Sequence, residues 1–158
     1  MKINFLLKIF ALMLVVGFSA ETYAQSNCKG FARKMCKQPK DEYIPNPQTM
    51  DAELAVGENA EAQMIFHKGH DYRVFVCAEE TLGDVRFKIK TGTGDVLFDN
   101  KDYDMTSIWD FTMTSTKRLL IEVGSDGEAS DDGFTETGCV SILSSYTYTG
   151  QSGFRSNQ

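Results

Sequence analysis

An alternation of apolar and polar residues runs from Met50 to Tyr148, and no other feature of the chain constrains its fold as strongly. Successive side chains of a β-strand point to opposite faces of the sheet, so each alternating segment predicts a strand with one buried face. Gly-, Asn- and Asp-containing turns divide the pattern into about eight such segments. They are residues 50–56, 60–66, 72–77, 85–90, 96–98, 109–114, 119–123 and 139–148.

Two of these segments differ in how they are expected to be buried. Residues 85–90 alternate three apolar with three basic side chains, which is typical of a strand with one face in water. Residues 72–77 carry apolar side chains on both faces, which predicts a central strand. Because no helical crossover separates the segments, the sequence predicts an all-β protein, an antiparallel β-sandwich of jelly-roll-like form.

A helical period precedes the strands. Apolar residues and two cysteines recur at helical spacing between residues 28 and 36, with basic residues outside this stripe. The stripe consists of Cys28, Phe31, Ala32, Met35 and Cys36. We therefore expect a basic helix and a proline-containing linker over residues 25–48, the β-sandwich domain over 49–148 and a flexible tail over 149–158.

The first 24 residues have the three regions of a cleavable secretory signal peptide. Lys2 and Lys8 provide the positive start, residues 9–18 form an unbroken apolar run, and small residues precede a cleavage point after Ala24. The run is about half as long as the roughly 20 apolar residues that a membrane span requires. The sequence therefore predicts a secreted or periplasmic protein without a transmembrane segment.

Charge is unevenly distributed along the chain that remains after residues 1–24. This chain carries 14 basic and 21 acidic residues, a net charge of −7, which argues against nucleic acid as a partner. Residues 25–40 carry a charge of +5, whereas residues 41–158 carry −12. The favoured interpretation is that the basic segment lies against its own acidic body, and the alternative is that it meets an anionic cell envelope.

Four cysteines in an exported chain predict two disulfides, which can be connected in three ways. The ends of a helix over residues 28–36 lie about 12 Å apart along its axis. A disulfide allows a Cα separation of only about 7 Å. This geometry favours one bond from each of Cys28 and Cys36 to Cys77 or Cys139, so that the helix is stapled to the sheet. The alternative pairs Cys28 with Cys36 through a broken helix.

Candidate metal ligands and catalytic groups are few. The weak calcium candidates, all in one Gly-containing loop, are Asp126, Glu128, Asp131 and Asp132. They fit no EF-hand register, so a solvated acidic loop is favoured. His67 and His70 could supply two ligands, but a solvated turn is again favoured. No Gly-x-Ser-x-Gly elbow occurs. We expect no cofactor, no metal ion and no enzymatic activity.

The aromatic residues divide into two groups. We expect Trp109 and Phe111 in the core of the sandwich rather than on a sugar-binding platform. Tyr146 and Tyr148, near the end of the last strand, are expected to be exposed. The candidate binding surface of the protein therefore combines basic and aromatic residues. Its members are Lys29, Arg33, Lys34, Lys37, Tyr146 and Tyr148.

Several strands and turns between Glu53 and Leu143 form a pattern found in a known class of domains. The features are Phe66 with Gly69, and residues 72–74, 94–100, 119–123 and 138–140. Here the chain resembles GOLD-type domains and bacterial pre-peptidase C-terminal jelly-roll domains. It is also similar to small secreted proteins of unknown role in Bacteroidetes-type bacteria. The resemblance implies a non-catalytic accessory domain for interaction or for the handling of secreted proteins.

Three functional hypotheses follow from these patterns. The first is a non-catalytic binding or accessory module that contacts a protein or polysaccharide of the cell envelope through its loops and one sheet face. The second is a structural or stabilising subunit of an envelope assembly, with the basic helix as its dock. A hydrolase is the least favoured because its motifs are absent.

Overall fold

A computed structural model of the protein describes residues 28–37, 42–125 and 136–150. Its α-helix, α1, spans Phe31–Met35. Nine strands follow along the described chain. They are β1 (Ile44–Pro45), β2 (Met50–Ala55), β3 (Asn59–Phe66), β4 (His70–Ala78), β5 (Val85–Thr91), β6 (Val96–Asp99), β7 (Ile108–Thr112), β8 (Lys117–Ser125) and β9 (Thr137–Tyr148). The predicted signal peptide, the four calcium candidates and most of the predicted tail lie outside the described residues.

The strands form two antiparallel sheets. The five-stranded sheet has the order β1-β9-β4-β7, with β2 also paired to β9, and the four-stranded sheet has the order β3-β8-β5-β6. This arrangement confirms the predicted all-β sandwich. β4 pairs with both β9 and β7, as expected of a central strand. The two-residue β1 lies within the predicted linker and is too short for its sequence to show a period.

The core fills the space between the two sheets. Val74 and Val76 of β4 face Phe87 and Ile89 of the other sheet within one apolar cluster, and all four are almost completely buried. Trp109 and Phe111 are half-buried and pack against this cluster, in agreement with the expectation that they belong to the core. Their rings also stack on each other, with centroids 4.4 Å apart.

One buried polar side chain, that of Asn100, joins β5 to the turn between β6 and β7. Its Oδ1 atom accepts a hydrogen bond from the Phe87 N–H at 2.9 Å. Its Nδ2 atom donates to the carbonyl oxygens of Val85 and Thr106 at 3.0 and 3.1 Å. Asn100 is fully buried, so these bonds replace the water that its amide group loses on folding.

The N-terminal helix is shorter than the sequence predicted. Gly30 has a φ of 78°, in the left-handed region, so Cys28–Gly30 forms a turn and the helix begins only at Phe31. At the other end, Cys36 is extended. The prediction of one helix over residues 28–36 was therefore wrong in extent. Met35, expected on its buried stripe, is 63% exposed.

Both disulfides join the N-terminal segment to the five-stranded sheet. Cys28 is bonded to Cys139 of β9, with the Cα atoms 5.2 Å apart. Cys36 is bonded to Cys77 of β4, with the Cα atoms 5.9 Å apart. This is the arrangement with two helix-to-sheet bonds that the helical spacing favoured over a Cys28–Cys36 pair. The short helix α1 is thus attached to the sheet on both sides.

Candidate functional site

The helix α1 lies across the outer face of the five-stranded sheet. Val74 and Val76 of β4 point into the core, so the alternating residue Cys77 points to the opposite, outer face. The sheet register places Ser141 of β9 beside Cys77, and Asp51 of β2 beside Ser141, on this same face. The outer face is therefore the surface on which the N-terminal segment is held.

The carboxylate of Asp51 fixes the start of α1. Its Oδ2 atom accepts a hydrogen bond from the Gly30 N–H at 2.8 Å, and its Oδ1 atom accepts one from the Ala32 N–H at 3.3 Å. The Ser141 hydroxyl also donates to Oδ1. Together with the apolar contact of Phe31 with Cys28 and Cys139, these bonds hold the helix against β2 and β9.

A groove of about 850 Å³ lies between α1, the segment that precedes β2, and the sheet. We call it the basic groove, because three cations line it. It is lined by Lys29, Gly30, Ala32, Arg33, Lys34, Cys36, Pro47, Thr49, Asp51 and Leu143. The sheet contributes the apolar side chain of Leu143, and α1 contributes Ala32. A cationic wall and an apolar surface thus lie within reach of one ligand.

The structure brings together three of the four basic residues that the sequence proposed for binding. Lys29, Arg33 and Lys34 are exposed and line the basic groove, whereas Lys37 is exposed outside it. Residues 28–37 lie against the body of the protein, held by two disulfides and by the Asp51 carboxylate, in agreement with the favoured interpretation. Among the described residues, however, none of the four cations forms an ion pair with an acidic side chain.

Two acidic residues of the four-stranded sheet have cationic partners on a neighbouring strand. Glu122 binds Lys90 and, at 2.9 Å, Lys88. These hydrogen bonds, with that from Lys90 the larger cause, lower the pKa of the Glu122 carboxyl. Arg86 binds Asp99 and lowers the pKa of that carboxyl in the same way. These pairs lie on the four-stranded sheet, away from the basic groove.

The two tyrosines proposed for binding lie apart from the basic groove. Leu143 and Tyr148 are five residues apart on β9, which corresponds to about 16 Å along the strand. Tyr148 is 49% exposed, as expected. Tyr146 is half-buried and packs against the core, so the expectation that it is exposed was wrong. Its position opposite Tyr72 in the register turns its ring toward the other sheet.

The histidines lie at this same end of the sheet. The His70 ring is 5.0 Å from the Tyr148 ring and 6.4 Å from that of His67, measured between centroids. Within the described ranges, no three His, Cys, Asp or Glu side chains are grouped so that they could hold a metal ion. The calcium candidates in the loop between β8 and β9 fall outside those ranges.

A second, smaller cavity of about 330 Å³ opens between the edge strands β6 and β7. Leu97, Trp109 and Phe111 are among its lining residues, and Leu97 is 50% exposed. Its lining is mixed, with apolar and aromatic side chains beside hydroxyl groups and the charged Lys117. It is an opening of the core at the free edges of both sheets.

Sequence reasoning missed the sheet side of the basic groove. Asp51 and Leu143 lie in strands whose alternation assigns each of them to a face but does not say what covers that face. Pro47 and Thr49 lie in the predicted linker, which carries no periodic signal. The one signal that could have located the groove was the pair of cysteines in the basic segment, because their bonds bring that segment onto the sheet.

The two disulfides also indicate the compartment. Disulfides form and persist in oxidising environments, so this protein is secreted or periplasmic. All four cysteines are used in these bonds. Among the residues that the structure describes, no helix has the length and apolar character needed to cross a membrane.

Comparisons with known proteins give little further information. No family model matches the sequence, and no curated protein matches it. The structure is similar to a crystal structure of Aeromonas hydrophila PliG, a periplasmic lysozyme inhibitor of g-type lysozyme, with 14% sequence identity and a TM-score of 0.47. The matched region covers 70% of this chain and 93% of that chain. A similarity of this size identifies neither a partner nor an activity for this chain.

Proposed function

We propose that this chain is an exported, non-catalytic binding module that holds a partner protein in the basic groove. The observation that carries the proposal is the position of Lys29, Arg33 and Lys34 on one groove of about 850 Å³. All three side chains are exposed, and among the described residues none of them forms an ion pair. Charge complementarity of this kind steers association and selects among partners.

The attachment of α1 supports this role. Two disulfides and the bonds from the Gly30 and Ala32 main chain to Asp51 hold one wall of the groove in place before any partner arrives. A wall that is already ordered loses little conformational entropy on binding, and this preorganisation increases affinity.

The chemistry of the groove favours binding over catalysis. No histidine lines it, and its one cysteine, Cys36, is in a disulfide with Cys77. The carboxylate of Asp51 already accepts three hydrogen bonds from the protein. The groove therefore offers cations and apolar surface but neither a thiol nucleophile nor a histidine base. A non-catalytic role is also what the resemblance to GOLD-type and pre-peptidase C-terminal domains implies, and that resemblance stays a prediction.

Quantitative co-purification tests the proposal. The wild-type protein, the groove variant R33Q/K34Q and the control variant K101Q are used to capture proteins from the exported fraction of the native cells. Lys101 is an exposed cation on the turn after β6, remote from the groove. We expect one set of proteins to be captured by wild type and K101Q and reduced at least about fivefold with R33Q/K34Q. Equal capture by all three would contradict the proposal.

A further inference from the structure

We infer that the segment held in the basic groove is short and acidic, with two or more carboxylates next to an apolar side chain. This inference rests on the proposed function and names the chemistry of its partner. Three observations support it: the cations of the wall, the apolar surface beside them and the acidic residues that limit the positive area.

The cations select carboxylates. Arg33 and Lys34 are adjacent on α1, and Lys29 lies in the turn Cys28–Gly30 that precedes it. All three line the same groove. The planar guanidinium of Arg33 can donate two parallel hydrogen bonds to one carboxylate, and each lysine ammonium can pair with another. Three cations within one groove therefore match a segment with more than one acidic side chain.

The apolar lining selects against a purely ionic ligand. Leu143 of β9, Ala32 of α1 and Pro47 line the groove together with the cations. A polyanion without apolar groups would leave this surface uncovered. A peptide with an aliphatic or aromatic side chain between its carboxylates would remove this apolar area from water, which favours binding.

The surrounding charge limits the length of the anionic segment. Asp51 lines the groove, and Glu53 lies two residues further along β2, exposed on the same face. Residues 41–158 as a whole carry a charge of −12. A long, uniform polyanion such as an acidic polysaccharide would extend beyond the three cations towards Asp51 and Glu53 and be repelled by their carboxylates. A short acidic segment would not, so a peptide is favoured over a polysaccharide.

Peptide selection followed by binding measurements tests the inference. A phage-displayed library of random dodecapeptides is selected on the full exported protein. The best peptide and its analogue with Asn and Gln in place of Asp and Glu are then titrated by fluorescence anisotropy into wild type, R33Q/K34Q and K101Q. Dextran sulfate serves as a polyanion without apolar groups or peptide bonds.

We expect the selected peptides to be enriched in Asp and Glu beside aliphatic or aromatic residues. The neutral analogue should bind wild type at least about fivefold more weakly than the acidic peptide does. The affinity of the acidic peptide should fall by about five- to tenfold in R33Q/K34Q but not in K101Q. Raising the salt concentration should weaken its binding to wild type.

Several results would overturn the inference. They are the selection of neutral or basic peptides, the absence of any enriched peptide, equal binding of the neutral analogue, or binding of dextran sulfate alone. If co-purification still depends on Arg33 and Lys34 in such a case, the groove binds a partner of other chemistry and the proposed function stands. If co-purification is also independent of both residues, the proposed function itself is wrong.

Discussion

The carboxylate of Asp51 on β2 accepts a hydrogen bond from the main-chain N–H of Gly30, which lies 21 residues earlier in the chain. Gly30, with its left-handed φ of 78°, is also the last residue of the turn that begins at Cys28, and α1 starts directly after it. The residue that redirects the chain is thus bonded to the sheet that the helix covers. This relationship determines where one wall of the basic groove lies.

Removal of the Asp51 carboxylate should destabilise the protein and loosen α1. D51A leaves the Gly30 and Ala32 N–H groups and the Ser141 hydroxyl without this acceptor, so we expect a loss of about 1–3 kcal/mol in unfolding free energy. E53A, on the same strand and face but exposed, should cost less than about 0.5 kcal/mol. Urea unfolding measures both, and equal effects of the two variants would show that Asp51 does not hold the helix.

Removal of either disulfide should also lower the unfolding free energy, and by different amounts. Cys28–Cys139 spans 111 residues and Cys36–Cys77 spans 41 residues. In the chain-entropy account, closing loops of these lengths stabilises the folded protein by about 5 and about 4 kcal/mol, respectively. We therefore expect C28A/C139A to be less stable than C36A/C77A by about 1 kcal/mol, as measured by urea unfolding with Trp109 fluorescence. The opposite order would show that native contacts outweigh loop closure.

Asn100 should be one of the least replaceable polar residues. N100L would leave the Phe87 N–H without its partner and remove the donor to the Val85 and Thr106 carbonyls, all in a buried site. We expect a loss of about 2–4 kcal/mol in unfolding free energy. The control is K101A, at the neighbouring exposed residue, which should leave the unfolding free energy nearly unchanged. A loss below about 1 kcal/mol for N100L would mean that water reaches these groups.

Stability should fall in acid, in part because of Glu122. Its hydrogen bonds to Lys90 and Lys88 lower its pKa in the folded protein. Its stabilising contribution is therefore present above the unfolded pKa and is lost as the pH falls through the lower pKa of the folded protein. E122Q cannot ionise, so it should lose less stability than wild type between pH 7 and pH 3.

The control for Glu122 is Glu53, an exposed glutamate of β2 on the other sheet. Glu53 forms no ion pair with a described residue, so E53Q should retain the wild-type loss of stability in acid. Chemical denaturation at the two pH values supplies the comparison. An E122Q protein that loses as much stability as wild type would contradict the role assigned to the two lysines.

The strands could be predicted from the sequence because their signal is local. A half-buried strand such as β5 alternates Val85, Phe87 and Ile89 with basic residues, and the sheet preserves that alternation. The predictions failed where burial depends on distant partners. Tyr146 was expected to be exposed, but β9 is an interior strand of its sheet, and the opposite residue Tyr72 shows which way its ring points.

The basic groove could be predicted only in part, for a related reason. The cations Arg33 and Lys34 stand out in the sequence because 25–40 contains no acidic residue. Where they lie depends on the Cys36–Cys77 bond and on the contact of Asp51 with Gly30, and both join residues far apart in the chain. Local sequence patterns carry no information on such contacts, so the residues on the sheet side of the groove could not be predicted from the sequence.

Site-specific photocrosslinking tests most directly whether the basic groove is the binding surface. A benzoylphenylalanine replaces Thr49, an exposed and uncharged lining residue of the groove, or, as a control, Gln63, which is exposed on β3 of the opposite sheet. Both proteins are exported in the native cells and irradiated, and adducts are identified by mass spectrometry. We predict a discrete adduct with one partner from position 49 and none from position 63. Adducts from position 63 alone, or equal adducts from both positions, would contradict the account.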